Sequence, residues 1–273
     1  MRVGRIGYIN CYPVYQAIDR GIVHLDAEMV TGTPTELNAL LAAGQLDVSV
    51  VSAVEYARNA KDYFLLPDLA ISCDGPIRSV ALFSKRPIEE LYQATVLISA
   101  SSRTSVYLLE LLFQDRYGIR PKFVEVRAEG PDLDGLGALP HDAALVIGDA
   151  ALLLAARNVY DHRYDLGTLW QEWTGLPFVF AVWAGRRDGH GQPATQVHEA
   201  LIQGREWGLS HLSELADEAA RRTGLDRTTC LDYLSGIDYA LSYRHLEGLT
   251  SFFRRLAARG TVADGALTFL SVA

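Results

Sequence analysis

The chain has 273 residues, enough for one large domain or two small ones, and its 49% hydrophobic and 21% charged residues are ordinary for a globular protein. That composition excludes disorder and coiled coil. A net charge of −8 without any Lys/Arg-rich run excludes a nucleic-acid binder, since the longest basic clusters are pairs such as Arg186-Arg187.

Residues 3–9 predict a first strand, broken by Asn10-Cys11-Tyr12-Pro13, and residues 14–20 predict a helix that stops at Gly21. A second strand covers 27–31. Thr33-Pro34-Thr35-Glu36 is a strong helix start, with Thr at the N-cap, Pro at the first helical position and Glu at the third. Leu37, Leu40 and Leu41 form that helix's apolar stripe, and Gly44 ends it. Strand 47–52 and helix 54–61 follow. Strands 65–72 and 79–83 flank the turn cluster Cys73-Asp74-Gly75-Pro76.

A second set opens with strand 95–99 and helix 106–117, closed by Gly118. Strands 122–126 and 143–147 come next. The apolar run 143–156 is interrupted by Asp149 and reads as a buried strand followed by a helix. Strand 178–183 is the last strong one. From about Thr195 onward the chain is helical.

Such alternation implies mostly parallel sheets with helices on both faces. Two sets and a helical tail predict two lobes with crossings at 80–84 and 178–183. Lobe 1 is then 1–84 plus 184–273, lobe 2 is 85–183, and a ligand cleft lies between them.

Cys11, Cys73 and Cys230 are too scattered for a disulfide framework and fit reduced thiols. The N-terminus lacks the apolar run of a signal peptide, and no stretch approaches the roughly 20 apolar residues of a membrane helix. A cytoplasmic protein without membrane insertion is expected. Walker A and G-x-S-x-G motifs are missing, and the histidines do not fall at metal spacing. The formal G-x-G-x-x-A match at 189–194 contains Pro193 and reads as a surface loop.

Ligands of open α/β sheets bind outside the carboxyl ends of the strands. Tyr8, Asn10, Ser52, Ser72, Arg78, Ser79, Ser101, Ser102, Thr104 and Asp149 fall at such ends. Ser101-Ser102-Arg103-Thr104-Ser105 combines hydroxyls with a helix N-terminus, an arrangement suited to a carboxylate or phosphate. Plain N-capping by Ser102 or Thr104 also explains it and needs no ligand. Asn10 can orient a ligand hydroxyl or form a turn. Asp149 can act as acid or base, or cap a helix starting at Ala150. Cys11 reads as a small buried hydrophobe, and Trp170, Trp173, Phe178 and Trp183 read mostly as core.

Several blocks together carry a resemblance. They are Ile6-Gly7-Tyr8-Ile9-Asn10-Cys11-Tyr12-Pro13, Gly32-x-Pro34-x-Glu36-Leu37-Asn38, Ser52-x-x-Glu55-Tyr56-Ala57, Gly75-Pro76-Ile77-Arg78-Ser79 and Ile147-Gly148-Asp149-Ala150-Ala151-Leu152. They resemble the menaquinone-pathway chorismate dehydratase family over most of the chain. The resemblance implies a two-lobed α/β fold of the type-II periplasmic-binding-protein kind, with mixed, mostly parallel sheets. It implies a lyase that dehydrates chorismate to 3-[(1-carboxyvinyl)oxy]benzoate in the futalosine route, without metal or organic cofactor. On that view Ser101, Ser102 and Thr104 hold the ring carboxylate and Asn10 holds the departing hydroxyl. Asp149 or a carboxylate of the substrate takes the proton. Two alternatives stay open: a non-catalytic cytosolic binding or sensing protein for a small carboxylate, and the related dihydroxynaphthoate synthase. The Pro-Asn-Asp run of that synthase is missing after the first strand here. The sequence is silent on oligomeric state, so a homodimer also stays open.

Overall fold

The computed structural model describes residues 1–99, 103–126, 136, 139–188, 191–263 and 266–271. Its strands are β1 (Arg2–Ile6), β2 (Glu28–Gly32), β3 (Val48–Ser52), β4 (Tyr63–Cys73), β5 (Val80–Ser84), β6 (Thr95–Ser99), β7 (Lys122–Val126), β8 (Ala143–Ile147), β9 (His162–Asp165) and β10 (Phe178–Arg186). They form two five-stranded sheets of order β2-β1-β3-β10-β4 and β7-β6-β8-β5-β9. In each sheet the fourth strand in that order runs antiparallel to both its neighbours, and the other pairs are parallel. The two sheets therefore repeat one plan.

β5 lies wholly in the second sheet and β10 wholly in the first. Each is paired on both sides, so neither strand is free to bridge. The chain crosses instead in segments 74–79 and 175–177, immediately before the strands that the sequence suggested as crossings.

Alternation along the strands explains the core. In the second sheet Val80, Leu82, Val96, Ala143 and Leu145 join a large buried cluster that also holds Val3, Val48, Val50 and Val182 of the first sheet. Ala81, Phe83, Leu97, Ala144 and Val146 face the other way into a smaller cluster with Leu154. Both faces of these strands are covered, as expected for parallel sheets flanked by helices.

The helices are α1 (Tyr12–Asp19), α2 (Pro34–Ala42), α3 (Ala53–Arg58), α4 (Arg103–Leu111), α5 (Asp149–Arg157), α6 (Leu166–Thr174), α7 (Gly191–Ser210), α8 (Leu212–Thr223), α9 (Arg227–Ser235) and α10 (Tyr243–Ala258). The α2 start is a full capping box: Thr33 Oγ1 accepts from the Glu36 N–H at 3.3 Å, and Glu36 Oε2 accepts from the Thr33 N–H at 2.8 Å. α1 begins earlier than its apolar pattern suggests, because a 3-10 turn (Ile9–Cys11) feeds directly into it and Pro13 sits in its first turn. Proline is tolerated there, since the N–H it lacks has no helical partner. The same rule lets α7 run through Pro193, so from Gly191 onward the G-x-G-x-x-A segment is helix rather than loop. α4 is continued by a single π turn, Leu112–Arg116, ahead of the left-handed Gly118. β9 and α6 have no counterpart in the sequence reading.

α7 lies on α1 at backbone distance. Cβ atoms built on Gly204 and Gly208, one turn apart, would overlap the carbonyl oxygens of Val14 and Pro13. Helix propensity alone makes Gly→Ala favourable by about 1 kcal/mol, whereas overpacking costs about 1–3 kcal/mol. Gly208→Ala should therefore destabilise the protein by roughly 1 kcal/mol or more in urea titrations. Stabilisation would mean that α7 and α1 are not in contact there.

Candidate active site

A cavity of about 80 Å³ lies between the two sheets. Ile6 and Ser52 reach it from the carboxyl ends of β1 and β3, and Ile147 from that of β8. Tyr8 and Asn10 follow β1, Ser79 precedes β5, and Thr104 and Ser105 stand in the first turn of α4. Ile71, Ile77 and Phe180 supply its apolar wall. A second space of about 530 Å³ shares Tyr8 and Ile147 with it and adds Thr33, Glu36, Asp149 and Arg222. Ordinary ligand clefts hold roughly 300–1,000 Å³, so the smaller cavity takes a drug-sized ligand only by opening or by merging with its neighbour.

The hydroxyls have defined partners. Thr104 Oγ1, almost fully buried, accepts from the Val54 N–H at 3.0 Å and so links α4 to the start of α3. Ser52 caps α3 by accepting from the Glu55 N–H at 3.2 Å. Ser79 Oγ accepts from the Tyr233 hydroxyl at 2.8 Å. A hydroxyl that has accepted once still has its own proton to donate. Asn10 differs, because its Oδ1 is buried with no hydrogen-bond partner. Leaving such an acceptor unpaired costs about 1–3 kcal/mol.

Asp149 is the first residue of α5 and does not cap a helix beginning at Ala150. Its Oδ1 reaches across to accept the Ile9 N–H at 3.2 Å. Burial raises its pKa, while the Ile9 N–H and the Arg222 guanidinium pull it back down. Arg222 is held by the Gly7 carbonyl and, at 3.2 Å, by the Tyr12 hydroxyl. Burial and the Asp149 charge push the Cys11 thiol up to about 12, so it is a neutral, inert side chain.

Tyr8, Asn10, Ser52, Ser79 and Thr104 thus meet at one cavity, and Asp149 borders the adjoining one. Ser72 and Arg78 do not line either. Strand neighbours alternate, so with Ile71 facing the cavity the Ser72 hydroxyl points away and donates to the Asp238 carbonyl at 2.8 Å. The Arg78 guanidinium turns to the Asp232 carbonyl on α9. Ser101 and Ser102 lie outside the described residues. Trp170, Phe178 and Trp183 are fully buried core.

Some neighbours carry no local sequence signal. Asp165 caps α6 through the Thr168 N–H and holds the N–H groups of Ile77 and Arg78 at 3.1 and 2.6 Å, fixing the segment that presents Ser79. Tyr233 and Arg222 arrive from the helical tail. Among the described residues, no three His, Cys, Asp or Glu side chains gather into a metal-binding group. No helix there is long and apolar enough to cross a membrane.

The model of a family described as menaquinone biosynthesis matches residues 1–258. The chain belongs to that family. The chorismate dehydratase of Thermus thermophilus is 36% identical over 238 residues, which covers 82% of this chain and 84% of that protein. Among solved structures, a protein of Archaeoglobus fulgidus superposes with a TM-score of 0.74 at 21% identity, covering 96% of this chain and 98% of its own. The alkanesulfonate-binding protein of Xanthomonas axonopodis pv. citri, solved with MOPS bound, gives 0.70 at 14% identity, with coverage of 98% and 96%. These two likenesses concern the fold alone. This member of the menaquinone biosynthesis family has the periplasmic-binding-protein architecture, with mixed α/β sheets.

The Asp149 environment has a consequence for stability. Its folded pKa is raised above the ordinary 3.8. The native state therefore keeps this proton to higher pH than the unfolded chain does. Between the unfolded and the folded pKa, the unfolding free energy falls as pH rises. Asp149→Asn removes that titration, so the variant should gain stability relative to wild type as pH rises across that window in urea titrations. Parallel pH profiles for the two proteins would contradict the raised pKa.

Proposed function

We propose that the chain is a cytoplasmic chorismate dehydratase, a hydro-lyase of menaquinone biosynthesis that forms 3-[(1-carboxyvinyl)oxy]benzoate. The substrate comes from the name of the Thermus relative. The chemistry is supported by one observation above all, the buried and unpartnered Asn10 Oδ1 beside several hydroxyl donors. A substrate hydroxyl supplies the missing donor, and the Asn10 amide can donate in return to the oxygen as it leaves. The three cysteines, unpaired and buried, fit a reducing compartment.

In the reaction a base takes a ring proton, the neighbouring carbon–oxygen bond breaks, and the base returns that proton to the departing hydroxyl, so that water leaves as the ring becomes aromatic. Loss of the proton spreads negative charge onto the ring carboxylate. Donors held at the N-termini of α3, α4 and α5 then act more strongly on the transition state than on the ground state. Thr104 and Ser79 each keep a proton for this purpose. Ser101 and Ser102 remain candidates from the sequence. The proton goes to Asp149 or to a carboxylate of the substrate. The two sheets with their helices act as lobes, and the Val54–Thr104 and Ile9–Asp149 hydrogen bonds join them.

Incubation with chorismate should give an aromatic enolpyruvyl product by chromatography. Asn10→Ala should lower kcat by on the order of 10²-fold or more, with a smaller effect on KM. A variant that turns over normally per folded molecule would make Asn10 a turn residue only. A wild-type protein that binds chorismate but never aromatises it would favour a binding or sensing protein instead.

A further inference from the structure

The Ser79 hydroxyl is set from outside the cavity. Its backbone is fixed first: the Ser79 N–H donates to the Ile77 carbonyl at 2.8 Å, and its carbonyl accepts the Gly148 N–H at 2.7 Å. Its side chain is then met by Tyr233, which lies on α9 more than a hundred residues later in the chain. The Tyr233 hydroxyl stands 2.8 Å from Ser79 Oγ, and both side chains are almost completely buried. Tyr233 itself does not line the cavity, whereas Ser79 does.

The direction of this hydrogen bond matters. A phenol is a better donor than an aliphatic hydroxyl, and its oxygen is a poorer acceptor because its lone pair is shared with the ring. Burial raises the Tyr233 pKa above the ordinary tyrosine range, so the group stays a neutral O–H. With Tyr233 donating, one Ser79 lone pair is used and its proton is free to point into the cavity. A hydroxyl that accepts a hydrogen bond also donates more strongly, since the two bonds polarise one another. Ser79 in this state offers a ligand a donor, which suits a carboxylate or a departing oxygen.

We propose that Tyr233 is a positioning residue for the reaction, acting through Ser79 by holding its hydroxyl as a donor aimed at the substrate. The proposal rests on the dehydratase reading above. An interaction that sharpens as charge develops belongs to turnover more than to affinity. A tyrosine that merely filled the core would instead reveal itself in stability, because its ring carries nearly all of the packing.

The test is steady-state kinetics with chorismate on wild type, Ser79→Ala, Tyr233→Phe and the double variant, with Tm measured on each. Tyr233→Phe keeps the ring and should lower kcat by on the order of tenfold with KM nearly unchanged. In the Ser79→Ala background the same change should cost nothing further, since the partner through which it acts is gone. An unchanged kcat overturns the proposal, and so does an equal loss in both backgrounds. Should Tyr233→Phe fail to fold, 3-fluorotyrosine at 233 keeps both ring and hydroxyl and makes the phenol a stronger donor. A raised kcat then supports the proposal, and an unchanged one overturns it. A folded wild-type protein that forms no product removes the dehydratase reading and the Tyr233 role with it. Wild-type turnover that is indifferent to residue 233 removes the Tyr233 role alone.

Discussion

A left-handed glycine at the end of β8 sets the geometry of the cleft. Gly148 has φ +65°, and a Cβ there would stand 3.1–3.2 Å from three ring atoms of Tyr8. Both the conformation and the close approach suit a residue without a side chain. The Gly148 N–H holds the Ser79 carbonyl, so the end of β8 is tied to the start of β5. The residue after it opens α5, which aims the Asp149 carboxylate at the N–H of Ile9. One backbone turn thus locates Tyr8, Ser79 and Asp149 relative to each other. Tyr8, pressed against it, lines both cavities together with Ile147.

Around that turn the cleft is rich in donors, although the chain carries a net charge of −8. Ser52, Ser79 and Thr104 each accept one hydrogen bond from the protein itself. Each still has its own proton to offer a ligand. The positive ends of α3, α4 and α5 lie at the same place. Local groups, and not the distant acidic surface, decide what enters. Arg222 adds a guanidinium on the side of the larger space, held in place by the Gly7 carbonyl and the Tyr12 hydroxyl.

How far this was legible in the sequence follows from the range of each interaction. The capping box at Thr33, the strand-to-helix break at Gly148-Asp149 and the alternation of strands and helices are local patterns, and local patterns survive in a single sequence. Strand parity is harder. Ser72 and Ser79 look equivalent as hydroxyls near a turn, but Ile71 takes the cavity side of the pleat and sends Ser72 to the Asp238 carbonyl. Arg78 adopts φ +65° with its N–H bound to Asp165, and this swings its side chain away from the cleft. Asp165, Tyr233 and Arg222 are unreadable for another reason. Their partners lie 87, 154 and about 210 residues away in the chain, so only the fold brings them together.

The scaffold by itself is neutral between receptor and enzyme. A receptor for a small carboxylate needs converging donors and little else. This cleft contains two features that such binding does not use. One is the Asn10 Oδ1, an acceptor left unpaired at a cost of about 1–3 kcal/mol, which an anion does nothing to relieve. The other is the Asp149 carboxyl, a second acceptor whose negative form opposes an incoming carboxylate and whose burial moves its pKa upward. On the proposed reading the ligand brings a hydroxyl or a transferable proton as well as its negative charge. A molecule that carries carboxylates, a hydroxyl and an acidic ring proton together meets all of these demands at once. On the proposed reading, breaking its carbon–hydrogen and carbon–oxygen bonds draws on both the donors and the acceptors of this cleft.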